Sequence, residues 1–134
     1  MTDKRNISIM VATDEEGFAL HRVRGPYLWV HMGRHFRRDK GVRLASAALA
    51  ALHSIPFNLF ARQIFGEQSA GKKLPVVLKS CDDAFLKQME RLHEITDDAA
   101  SEWLYLKRLK DKYDLKLNRV EERSPAMERL KAFR

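Results

Sequence analysis

Apolar and polar positions change their spacing several times along this chain, and each change marks an element. Ile7, Ile9 and Val11 alternate with Ser8, Met10 and Ala12, and Phe18, Leu20 and Arg22 resume the period of two after Thr13-Asp14-Glu15-Glu16-Gly17. Two alternating runs around turn residues predict a β-hairpin, with Gly17 free to take the positive φ its loop needs. Arg24-Gly25-Pro26 ends the second strand. From Tyr27 to Phe36 two readings compete. Alternation puts Tyr27, Trp29 and His31 on one face of a third strand, whereas Pro26 at a first helical position starts a short helix, and the helix is the preferred reading.

Val42 to Leu52 is rich in alanine and leucine and free of glycine and proline, which predicts a buried helix. Ser54 as an N-cap with Pro56 in the first turn predicts another, carrying Phe57, Phe60, Ala61, Ile64 and Phe65 until Gly66. Residues 67–74 read as a loop, and Pro75 to Leu78 as a short extended piece able to pair with the hairpin. Beyond Ser80, a capping residue with Asp83 three positions on, one spacing of four and three residues runs through Phe85, Met89, Leu92, Thr96, Ala99, Trp103, Leu106, Lys110, Tyr113, Leu117 and Val120. Nine of these eleven positions are apolar, which predicts one helix over 82–122, roughly 60 Å long at 1.5 Å per residue. So long a helix projects or finds a partner. A homodimer through a coiled-coil seam of Phe85, Met89, Leu92, Trp103, Leu106, Tyr113, Leu117 and Val120 is the preferred expectation, and a break near Thr96-Asp97-Asp98 giving an antiparallel helical hairpin is the alternative. Ser124-Pro125 restarts the chain in a short terminal segment with Met127 and Leu130.

The expected fold is therefore α+β and mainly helical: an N-terminal β-hairpin, short core helices and a long C-terminal amphipathic helix of coiled-coil type. It divides into a basic α+β part over 1–80 and a long helical segment over 81–134, folding as one cooperative unit. A chain of 134 residues buries about two thirds of its unfolded surface, enough for a core of its own.

Charge changes the picture more than composition does. Seven of the 25 basic residues fall between His21 and Arg43 against one acid, Asp39, while residues 81–134 balance twelve basic against twelve acidic side chains. The net charge of +7 is thus local. Tyr27, Trp29, Phe36 and three histidines interleave with the basic residues, and six of the seven are arginines, whose planar fork suits phosphate oxygens and stacks on bases. Arg22, Arg24, Tyr27, Trp29, Arg34, Arg37, Arg38, Lys40 and Arg43 are the candidate nucleic-acid-binding residues, with DNA and RNA equally open as partners. An acidic protein docking on the same basic face and the long helix is the second reading, because arginines and aromatic residues also anchor protein interfaces.

The catalytic signals fail on their own chemistry. Gly66 to Lys72 has the spacing of a phosphate-binding loop, but Lys73 stands where a hydroxyl must ligate magnesium and Leu74-Pro75 follows where a helix must begin. His31 and His35 share a face but are two ligands, too few for a metal site. Cys81 is the only cysteine, and the adjacent Asp82 and Asp83 oppose its thiolate. A small accessory protein that is not an enzyme, without cofactor or metal, is therefore expected. The first six residues lack the apolar run of a secretory signal, and His53, Pro56, Asn58 and Arg62 interrupt the most apolar stretch, 44–65. A cytoplasmic protein without a membrane partner is the expectation that follows.

Overall fold

The computed structural model describes residues 6–132, so the N-terminal segment read above lies, up to residue 5, outside the described residues. Its centre is one mixed five-stranded sheet in the order β3-β2-β1-β4-β5. The expected hairpin forms the middle of it. Strand β1 (Ile7–Thr13) pairs antiparallel with β2 (Phe18–Arg24), Val11 opposite His21, and Gly17 takes φ +87° in the connecting turn. The Asp14 carboxylate accepts from the amides of Glu16 and Phe18 and so closes that turn.

The segment 27–36 is a strand, not the preferred helix. Pro26 to Trp29 makes a tight turn with Tyr27 and Leu28 in the left-handed region, and β3 (Val30–Phe36) then pairs antiparallel with β2 along its whole length. A seven-residue stretch carrying Gly33 gains more from a ladder of hydrogen bonds along β2 than from a marginal isolated helix.

Helix α1 (Lys40–Ser54), capped by the Asp39 carboxylate on the Gly41 amide, lies across β1, β2 and β3 with Ala45, Ala47, Ala48 and Ala51 buried. Helix α2 (Phe57–Phe65) ends where Gly66 takes φ +69°. Ser54 does not cap it, because its hydroxyl donates back to the Ala51 carbonyl. The extended piece beyond is β4 (Leu74–Ser80), parallel to β1.

The long C-terminal helix is absent. In its place stand α3 (Asp83–Glu90), a 3-10 turn at Leu92–Glu94, α4 (Ser101–Leu109), another 3-10 turn, strand β5 (Tyr113–Arg119) parallel to β4, and α5 (Pro125–Lys131) of 7 residues. Of the proposed seam, Phe85, Met89, Leu92, Trp103, Leu106 and Tyr113 are buried in the chain's own core, and Leu117 is half-buried against it. Val120 packs on a second, smaller cluster. The expectation of a coiled coil is corrected accordingly: the stripe is consumed by the sheet. The short terminal segment that begins at Ser124-Pro125 is α5, with Ser124 as its cap and Pro125 in its first turn.

The two sheet faces differ. Ile7, Ile9, Val11, Val23, Leu74, Val76, Leu78 and Tyr113 face the main core under α1, α3 and α4. On the other face α5 covers only Met10, Ala12 and Leu20 with Met127 and Leu130.

Candidate nucleic-acid interface

Side chains alternate across a strand and cross-strand partners share a face, so the register decides which candidates act together. Arg24 pairs with Val30, Arg22 with Met32 and Leu20 with Arg34, all on the sparsely covered face. Lys79 pairs with Met10, and Lys116 with Val77, on the same face further along the sheet. Arg129 of α5 adds to it: burial first, then the fields of Arg24 and Arg129, press the Arg22 pKa below its ordinary value. Three guanidiniums are thus gathered where they repel one another. Neither Arg22 nor Arg24 forms an ion pair among the described residues. Lys79, Lys116 and Arg129 escape a reading of the sequence, because no local pattern says that two parallel strands and a terminal helix converge on β2.

The remaining basic candidates divide. Arg34 lies in the same row but is already engaged, 2.9 Å from Glu16 and 3.4 Å from Asp14, with its guanidinium 3.6 Å above the Phe18 ring. Arg37 donates to the Ser46 hydroxyl at 3.2 Å, and Arg43 donates to the Arg37 and Arg38 carbonyls, so both arginines hold the β3–α1 turn in place. Arg38 and Lys40 are exposed at the start of α1, at the opposite end of β3 from Arg24. Lys40 borders one cleft with Asp14, Glu15 and Glu16 and another with Asp82. The window is one run in sequence but not one patch in space.

Tyr27 and Trp29 part company as well. Tyr27 is 70 % exposed on the β2–β3 connection, whereas the half-buried Trp29 packs edge-on against Phe60 at 5.2 Å between ring centroids. Trp29 also lies flat over His31. That ring begins a second assembly, on the core face. His21 sits opposite Gly33, and His31 and His35 flank Gly33 on β3. His21 Nε2 is 3.0 Å from His31 Nδ1, and His21 Nδ1 is 2.9 Å from His35 Nε2. Interplanar angles of 14° and 16° make the three imidazoles a nearly flat hydrogen-bonded ribbon. Burial first, then His35 and His31, push the His21 pKa down to about 4, and burial followed by Arg37 lowers that of His35. The sequence shows the His-Gly-His spacing but not the third ring, which the hairpin register brings in.

Strand order, the antiparallel β1–β3 meander, the parallel β4 and β5 and the helices on the core face together define the architecture. It is similar to the fold of solved ribonucleases H1. LC11-RNase H1, solved in complex with an RNA/DNA hybrid, superposes with a TM-score of 0.57 at 17% identity over 93% of both chains. The RNase H1 of the halophilic archaeon Halobacterium salinarum gives 0.55 at 16% identity, over 95% of this chain and 92% of the other. LC11-RNase H1 from compost, in a further structure, gives 0.58 at 15% identity over 94% and 90%. No protein-family model matches the chain, and no curated protein matches it in sequence.

This likeness corrects the expectation that the chain is not an enzyme, since the solved structures that share its fold are ribonucleases. Metal-assisted phosphodiester hydrolysis requires a converging set of ligands. Among the described residues no group of three or more His, Cys, Asp or Glu is placed to hold a metal ion, so the side chains present do not fit one. Cys81 is half-buried and burial raises its thiol pKa, which leaves it a poor nucleophile.

Proposed function

We propose that this chain binds double-stranded nucleic acid, with an RNA/DNA hybrid as its ligand, on the open sheet face. The observation that carries the reading is the gathering of Arg22, Arg24 and Arg129 with no ion pair to an acid among the described residues. Mutual repulsion of like charges is a standing cost in the free protein, and a row of phosphates removes it by charge-assisted hydrogen bonds to each fork. The hybrid is favoured over other polyanions because the fold extends over nearly the whole of a protein solved with that ligand.

Anisotropy titrations of a labelled hybrid across a salt series test this. Arg22→Gln, Arg24→Gln and Arg129→Gln together should weaken binding and reduce the slope of log K against log salt by about two to three, near 0.9 for each lost phosphate contact. Unchanged affinity and slope overturn the interface. Equal affinity for hybrid and for DNA duplex overturns the choice of ligand. A second reading, hydrolysis of the bound hybrid, is favoured by the shared fold, and the length of the labelled RNA strand in the same samples reads it directly. An RNA strand that stays intact sinks that second reading.

A further inference from the structure

The connection between β2 and β3 raises two large apolar side chains into solvent. Tyr27 is 70 % exposed and Leu28 94 % exposed, the latter the most exposed large hydrophobic side chain among the described residues. Both take left-handed backbone conformations, φ +56° and φ +65°, which side chains other than glycine rarely adopt. Neighbouring residues hold them there. The Gly25 amide donates to the Trp29 carbonyl at 2.8 Å, and the Trp29 amide donates to the Pro26 carbonyl at 3.3 Å. Pro26 is buried, and Gly25 is pressed so closely on Phe60 that a Cβ would lie 2.7 Å from its ring. The base of the loop is therefore anchored, and only its tip stands clear.

We infer that the Tyr27–Leu28 tip is a wedge that enters the base stack of the bound nucleic acid. This inference rests on the proposed nucleic-acid reading and adds to it the element that touches bases. The left-handed pair serves the turn between β2 and β3, but such positions favour asparagine and glycine. A tyrosine and a leucine kept there with their side chains in solvent mark a site of contact, because that exposure does nothing for the free protein. Charge chooses the partner: Arg24 immediately precedes the loop, and its cross-strand neighbour Val30 is exposed beside it, so the tip stands at the rim of the basic face. Phosphates seated on Arg22 and Arg24 bring the bases of the same duplex to the tip. There an aliphatic side chain parts a base step, and an aromatic one stacks on what is parted.

The test uses hybrids carrying 2-aminopurine at successive positions, a base whose fluorescence rises when its stacking is lost. Wild-type protein should raise the signal several-fold at one or two adjacent positions. Tyr27→Ser with Leu28→Ser should abolish that rise and weaken binding about tenfold or more, with the salt slope and the melting temperature kept. Tyr27→Phe should retain the signal. Binding without any fluorescence change overturns the wedge and leaves the duplex reading standing. Absence of binding by the wild type at low salt overturns both. Self-association of the wild type that the double serine variant abolishes shows the tip to be a contact between copies, and the inference falls.

Discussion

At Gly33 the sheet omits a side chain and His21 occupies the space: a Cβ there would lie 2.3 Å from the imidazole Cε1. The consequence is a chain of three rings that share two hydrogen bonds. When all three are neutral, the bonds run in one direction, and His21 donates through one nitrogen and accepts through the other. One further proton on a terminal ring leaves both bonds intact. A second proton breaks one, because His21 cannot accept at both nitrogens without giving up its own proton. Burial first, and then the fields of His35 and His31, lower the His21 pKa from the ordinary 6.5 to about 4. The folded state then binds fewer protons than the unfolded state through this range, so stability is complete above pH 6.5 and declines as pH falls towards 4. The loss from His21 is roughly 3 kcal/mol. Urea midpoints measured between pH 7 and 4 should show it, and His21→Asn should be less stable at pH 7 yet lose less on acidification. Parallel acid dependence in the two proteins would show that the ribbon is not its source.

Elements were legible where local pattern and tertiary need coincide. The hairpin, α1, α2 and β4 follow from alternation, alanine-rich composition or helical spacing of apolar residues that the fold has no reason to override, although Ser54 does not supply the cap expected for α2. The heptad run failed because a spacing of four and three is also produced by short segments that each turn one face to a common core. Tyr113, Leu115 and Leu117 alternate as a strand, and that signal is masked by the longer period laid over it. Thr96 and Lys110, the two polar positions in the run, fall in the chain breaks between α3, α4 and β5. Leu106, fully buried where α4 meets the core, distinguishes the two architectures. Leu106→Ala should cost about 2–5 kcal/mol, with a thermal midpoint that does not move with protein concentration. A midpoint that rises with concentration would bring back a seam between copies.

Over the whole molecule, the balance of charge in the C-terminal part hides an asymmetry. Lys79 and Lys116 look neutralised in sequence, yet the sheet turns both towards the face of Arg22 and Arg24. A duplex long enough to cross the sheet would reach them. Lys79→Gln and Lys116→Gln should each lower the salt slope by about 0.9 on a hybrid that spans the sheet, with no change on one too short to do so, and leave the melting temperature in place. Equal effects on both lengths would confine the ligand to the β2–β3 edge.

Sequence alone was enough for the local matters: where most turns lie, which segments are amphipathic, that a single cysteine allows no internal disulfide, and that arginines crowd the stretch of chain around Tyr27. These depend on the spacing and chemistry of residues close along the chain. Strand order and register belonged to the tertiary structure alone. They separate Arg22 and Arg24 from Arg37 and Arg43, place Trp29 on Phe60 and Tyr27 in solvent, and join His21 to His31 and His35. A side chain in a strand points to one face or the other according to a shift of one residue, and that shift is set by the neighbouring strand, which no local pattern contains.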